Sequence, residues 1–291
     1  MTRVRLPLAI PLCVFVLFGP GCSKKPTPAT EPAQGSVIAR RPVVGSEAEK
    51  EAKAIAVSRL KEIGIAIHKY HDAHKQFPAG IVGPDNQLGL SWRVQILPYI
   101  GEEELYKQFK LNEAWNSEEN KKLLAKMPKV FETTGQGAEP GETYLRSITG
   151  PWAIMPQLHD SGMGGKKSQA PPEQKFAAGT PAPGRKITDI TDGASNTIMV
   201  AEAADAVEWT KPEELVFVPF GGNINPPPLG GPFAGGFHGL MCDGAVHFIP
   251  LTLERKTIAA MITVNRGDIL PKAATDILSP PKPKENGTEH K

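Results

Sequence analysis

Between residues 56 and 74 the chain places Ala56, Leu60, Ile63, Ile67, Tyr70 and His74 at steps of 4, 3, 4, 3 and 4. That spacing keeps one face of an α-helix apolar and leaves the other faces to Lys, Glu and Arg. Ser46-Glu47-Ala48-Glu49 has the form of a capping box, so the helix is predicted to begin at 46. Pro78 forces its end near Lys75. At ~1.5 Å per residue such a helix is ~45 Å long. One stripe on so long an element requires a sheet or another helix to lie under it.

Beyond Pro78 the pattern shortens. Trp92, Val94, Ile96, Leu97, Tyr99, Ile100, Leu105, Tyr106 and Phe109 are interrupted by Pro98 and Gly101, which predicts two short helices with a kink between them. Asn116-Ser117-Glu118-Glu119 opens a further helix with Leu123 and Leu124 inward, closed by Pro128. Then the period changes to that of strands. Val130-Phe131, Thr143-Tyr144-Leu145 and Thr197-Ile198-Met199-Val200 are short, β-prone and bounded by Gly, Pro or Asp. Residues 156–184, with five Pro and five Gly, are predicted to be a long exposed loop. The clearest strand signal is Leu240 to Ile249. There Asp243-Gly244 divides two apolar runs, as a tight hairpin with positive φ at both central residues would. Pro250 ends the second strand, and a helix is predicted from about Leu253 to Val264, with Gly267 as its stop. Residues 273–291 gain Pro and Lys and lose apolar content, which predicts a frayed tail.

The N-terminus reads as an address. Arg3 and Arg5 precede a 13-residue apolar run, Leu6 to Phe18, which Gly19-Pro20-Gly21-Cys22 closes. Positive start, apolar stretch and small-residue end make a secretory signal peptide at 1–21. The run is too short to cross a ~30 Å hydrocarbon core as a helix. Cys22 resembles the lipid-modified cysteine of a bacterial lipoprotein, although the usual Leu three residues earlier is Gly19 here. The stretch 22–45 that follows is Pro-rich and polar and is read as a spacer between a membrane lipid and a domain at 46–272. Composition sharpens this picture. The chain has 29 Gly and 29 Pro in 291 residues, about a fifth against the usual ~12%, so an all-helical bundle is excluded. Its formal net charge of +2 disappears once Arg3 and Arg5 leave with the signal. A neutral chain lacks the basic face that nucleic acid requires, so no nucleic-acid partner is expected. With Cys13 removed and Cys22 acylated, Cys242 is the only thiol left and no internal disulfide can form.

Candidate chemistry is sparse. His68, His71, Asp72 and His74 crowd one and a half helical turns, at spacings that could present metal ligands on neighbouring faces. A packed histidine is the plainer account, since a closed zinc site needs about four ligands with supporting partners. Asp189, Asp192 and Asn196 around Gly193 offer oxygen ligands for Ca²⁺, or else local turn hydrogen bonds. Ser195 lies in Gly-Ala-Ser-Asn, not in a nucleophile elbow. Trp209 sits in a polar stretch, Glu208 to Glu214, from which it could stack on a sugar or pin a loop. No phosphate loop or dinucleotide fingerprint is present, and no cofactor is expected.

Four ordered blocks carry a resemblance. Leu60-Lys61-Glu62-Ile63-Gly64-Ile65-Ala66-Ile67-His68-Lys69-Tyr70-His71-Asp72 with Phe77-Pro78-Ala79-Gly80, Ile187 to Ile198, Glu208 to Leu215, and Gly235 to Ile249 follow one another here. Together they resemble the blocks of a large planctomycete family built on a domain of unknown function, DUF1559, over roughly residues 50–270. The last block resembles that family's His…Asp-Gly signature, which makes His238 and Asp243 candidates beside Trp209 for contacting a ligand. The signature is more widely spaced in the family than His238 and Asp243 are here. Many members begin with a prepilin-type signal, in whose place this chain has the lipoprotein-like one. The resemblance implies an α+β, pilin-like fold in which one long N-terminal helix packs on an antiparallel sheet, with short accessory helices. It brings no established activity. The expectation is therefore a non-enzymatic, lipid-anchored envelope protein that is structural or binds a partner. The alternative is an extracellular solute- or carbohydrate-binding module.

Overall fold

A computed structural model describes residues 44–134, 138–156, 175–219 and 224–279. The expected signal peptide, Cys22 and all but the end of the spacer lie outside the described residues, as do most of the Pro/Gly-rich loop and the end of the tail. The long helix is present as α1, Glu47–His74. Ser46 caps it by accepting the Glu49 N–H at 3.2 Å, while the Glu49 carboxylate reaches back one residue further than a strict capping box, to the Gly45 N–H. Lys75, in the left-handed conformation at φ 62°, ends it and donates its N–H to the His71 carbonyl. Ala56, Leu60, Ile63, Ile67 and Tyr70 are buried as the stripe predicts. Full burial of each large member stabilises the domain by roughly 1.5–3 kcal/mol. His74, the last position of the stripe, is exposed and lies stacked on Tyr70.

Five strands form the sheet beneath: β3, Glu142–Thr149; β4, Ile198–Glu208; β5, Leu215–Val216; β6, Gly236–Met241; and β7, Val246–Pro250. Their order is β5-β3-β4-β6-β7, antiparallel throughout except for the short parallel pair β3 and β5. A two-stranded piece, β1 (Ile81–Val82) and β2 (Leu88–Leu90), stands apart. The fold is thus α+β, with the long N-terminal helix and the antiparallel sheet in the expected arrangement.

Alternation along β6 sorts the core onto two faces. Leu240 and Cys242 join the apolar cluster that holds Leu60, Ile63 and Tyr70, whereas Phe237 and Met241 join a second one with Ile258 and Ile262. In β4 the register shifts between Ile198 and Val200, two residues facing one step of β6, so Met199 and Val200 both turn to the helix side. Helix and sheet meet closely at Gly64, where a methyl group would stand 3.0 Å from Leu240 Cδ1. Cys242 is buried and unpaired, and burial pushes its thiol far above the usual range.

Short helices complete the helix side. They are α2 (Trp92–Gln95), α3 (Glu103–Tyr106) and α4 (Glu118–Lys121), the last capped by Ser117. The kink between the first two is a 3₁₀ turn over Leu97–Ile100 that ends at Gly101, φ 84°. Val130-Phe131, read from sequence as a strand, is a buried 3₁₀ turn, because Pro128 starts a turn there. The second face is covered by α5, Arg255–Ala260, shorter than the predicted helix, and by α6, Lys272–Leu278. The tail expected from 273 therefore begins as a helix that buries Ala274.

Two further differences have clear causes. In the β6–β7 hairpin only Gly244 (φ 90°) has positive φ, so the turn is not the primed two-residue type. Residues 242–245 make a longer connection instead, in which Asp243 Oδ1 accepts the Ala245 N–H at 2.9 Å. The described end of the Pro/Gly-rich stretch is not a free loop. It runs along β1, with Val82 N–H donating to Thr180 O and Ala182 N–H to Gly80 O, both at 2.9 Å. Gly184 closes this seam so tightly that a Cβ there would lie 1.9 Å from the Phe77 carbonyl oxygen. Gly184→Ala must move backbone and is expected to destabilise the domain by about 1–3 kcal/mol, read as a lowered denaturation midpoint.

Candidate functional site

The three candidates for ligand contact do not converge. Trp209 is 0% exposed. Its ring stacks on Phe131 at 5.9 Å, meets Phe109 edge-on at 5.8 Å, and its Nε1–H donates to Leu124 O at 3.0 Å. It pins a loop and offers no face to a sugar, which corrects the stacking expectation. Glu208, Lys211 and Glu213 reach solvent at least in part, while the indole and Glu214 turn in.

His238 is likewise buried, at 2% exposure, and pairs with Glu202 from the adjacent strand β4. Glu202 Oε2 accepts the His238 backbone N–H at 2.8 Å and lies 3.0 Å from Nδ1. Phe233 and Phe248 pack edge-on around the imidazole. Above them Lys53 of α1 sets its ammonium 4.4 Å from the Phe248 ring centre, held from the other side by Glu49 at 3.1 Å. The cluster fastens the start of α1 to the sheet. Asp243 alone of the three is exposed, and it caps its own turn.

The histidine row of α1 also serves packing. His68 packs edge-on to Phe77. His74 Nε2 is 2.9 Å from the Tyr99 hydroxyl. His71 Nε2 accepts the Ile187 N–H at 3.3 Å, which requires the neutral ring, and Asp72 lies 3.9 Å from its Nδ1. Among the described residues no group of three or more His, Cys, Asp and Glu is placed to hold a metal ion. Asp189 and Asn196 make local turn bonds, to the Lys186 N–H and the Asp192 carbonyl. Asp192 does something the sequence reading missed. Its carboxylate crosses to a distant loop, accepting the Arg266 N–H at 2.8 Å and the Gly267 N–H at 2.7 Å, with the Thr263 hydroxyl 3.2 Å away. Ser195 is exposed and makes no side-chain hydrogen bond among the described residues.

The most heavily bonded side chain was also missed. Arg93 of α2 is fully buried and donates to three carbonyls: Trp209 O at 2.8 Å, Leu145 O at 2.9 Å and Lys211 O at 2.9 Å. Glu214 faces it at 3.2 Å and accepts the Ser147 N–H at 2.6 Å. Burial pushes the Glu214 carboxyl above its usual range, against the pull of Arg93. A lone Arg inside the apolar run 90–97 was the available signal.

Two clefts open to solvent. One of about 410 Å³ lies beside α5 and is lined by Lys256, Thr257, Arg266, Asp268 and the apolar Ile224 and Ile269. The other, about 220 Å³, lies beside β5 between Met155, Pro212, Glu213 and Val216. Among the described residues no helix is long and apolar enough to cross a membrane.

The model of the family described as "Protein of unknown function (DUF1559)" matches residues 56–231, more than half of the chain. The chain belongs to this family. No curated protein and no solved structure matches it. The DUF1559 match takes in Arg93, Asp192, Glu202, Trp209 and Glu214 but ends before His238 and before the loop that Asp192 holds. Two of these, Asp192 and Glu202, thus find their partners beyond the matched segment.

Two measurements check these roles. Trp209→Ala removes a fully packed indole and is expected to cost about 3–5 kcal/mol in chemical denaturation. A side chain used only to contact a ligand would leave stability nearly unchanged. Burial, only partly offset by Asp72, lowers the basicity of His71, and burial does the same to His247. Folding therefore favours the neutral rings. Stability is full above the ordinary imidazole value of about 6.5 and falls as pH drops through it toward the lower folded-state value. His71→Gln should flatten that slope in melting temperature against pH, with His247 supplying what remains.

Proposed function

We propose that the chain is an exported envelope protein, tethered through a lipid on Cys22, whose DUF1559 domain acts by contact with a partner and performs no catalytic step. The observation that carries this reading is the burial of Trp209 and His238. These were the residues most open to a ligand-binding role, and both are spent inside the scaffold. What the domain presents to its surroundings is its outer faces and clefts. Support for the tether comes from the sequence: the short apolar run 6–18, the small residues before Cys22, and a polar, Pro-rich stretch before the first helix. A diacylated or triacylated cysteine supplies the two or more chains that stable anchoring needs.

The alternative, a solute-binding module, keeps one specific observation in its favour, the cleft beside α5. The carbohydrate form of that reading loses Trp209 as its stacking platform.

Expressed with its native leader, the wild-type chain is expected in the membrane fraction and to incorporate a clickable fatty acid. Cys22→Ala should release it to the soluble fraction unlabelled. Undiminished membrane retention of that variant would overturn the anchor.

A further inference from the structure

We propose that the cleft beside α5 binds a small organic carboxylate with a short apolar body. The cleft's volume, about 410 Å³, falls within the ~300–1,000 Å³ of small-molecule sites. Its charged group of interest is Arg266. The guanidinium lies 5.2 Å from the centre of the Trp152 ring and has no carboxylate or hydrogen-bond partner among the described residues. A place over an indole leaves the N–H donors unspent, and a guanidinium with free donors can receive a carboxylate two-pronged.

Two of the other polar groups in the lining have partners of their own. Lys256 is held by Glu254 at 2.8 Å, and Asp268 Oδ2 takes the Thr263 hydroxyl at 2.7 Å. Asp268 keeps its negative charge at one side of the lining, and Arg266 is the lining cation without an anionic partner among the described residues. Apolar walls complete the specificity. Ile269 is 94% exposed and Ile224 40%, the former an unusual state for so large an aliphatic side chain. Both line the cleft, together with Ala259, Ala260 and Pro271.

The site is built rather than incidental. The loop carrying Thr263, Arg266 and Asp268 is fixed by the two backbone N–H bonds of Arg266 and Gly267 to the Asp192 carboxylate, which comes from the turn before β4. Val264 N–H also donates to Trp152 O at 2.9 Å, so the ring under Arg266 is tied to the same loop. One carboxylate from the Ile187–Ile198 block thereby sets the position of the Arg266 backbone. This inference stands apart from the tether on Cys22 and does not require it.

The test is a titration of the full chain, carrying ¹³C-labelled isoleucine methyl groups, with hexanoate. Saturable shifts at Ile224 and Ile269 below about 10 mM are expected. Arg266→Gln should weaken binding at least ~tenfold, and the exposed Lys256→Gln severalfold at most. Hexanol, of the same length without the anion, should leave the two methyls unmoved. Absence of saturable shifts, equal affinity in Arg266→Gln with an unchanged melting temperature, or hexanol binding as well as hexanoate would each overturn the proposal. Should Arg266→Gln lower the melting temperature, Arg266→Lys takes its place: it keeps the charge without the fork, and affinity equal to wild type would overturn the two-pronged site.

Discussion

A single guanidinium in the dry interior holds the helix side of this domain in register. Arg93 draws the end of β4, the middle of β3, the segment before β5 and the Glu214 carboxylate around α2. Burying such a charge is tolerable only when its donors are satisfied and an opposite charge is at hand. Here both conditions are met by segments far apart in sequence, so the cation can be desolvated only when all of them have arrived together. Arg146 repeats the device one layer out, donating to the carbonyls of Glu213 and Glu214 and fixing the approach to the short parallel strand. The sheet edge at β5 has two residues and little apolar area of its own, and it is positioned by these cations more than by its ladder.

The sheet divides the labour of the molecule. On one face α1 and the short helices seal an apolar core in which the aromatic side chains serve as packing. On the other, α5, α6 and the loop at 263–268 cover a second core and leave a cleft open. The Asp192 carboxylate ties the turn before β4 to the loop of that cover, and the Glu202–His238 pair links β4 to β6 within the sheet. Polar residues of the recognisable blocks thus act as fasteners between elements.

Much of this order could be read in the sequence, for definite reasons. The 4-3-4-3 stripe of α1 is local and survives in the fold because a helix on a sheet needs one buried face. The Leu240–Ile249 hairpin was legible from two apolar runs and a Gly, though its turn took a longer form than Asp-Gly suggests. What stayed hidden depends on distance. Glu202 and His238 are 36 residues apart, and Asp192 and Gly267 are 75 apart. Nothing in local period says that these groups meet. Trp209 misled because the polar residues around it suggest an exposed loop, whereas Trp209, Thr210 and Glu214 are all turned inward. β5 and α6 were missed because two residues and seven residues give too little pattern to see. The cleft was illegible altogether, since its walls come from 224, 256–260 and 263–271.

Cys242 gives the domain a property its surroundings do not set. It is the one thiol in the domain, sealed under α1 with its ionisation suppressed, so oxidants and alkylating agents meet no thiolate. No bridge has to be formed, proofread or protected for the chain to reach this fold. The described domain therefore reaches its fold without drawing on oxidising equivalents.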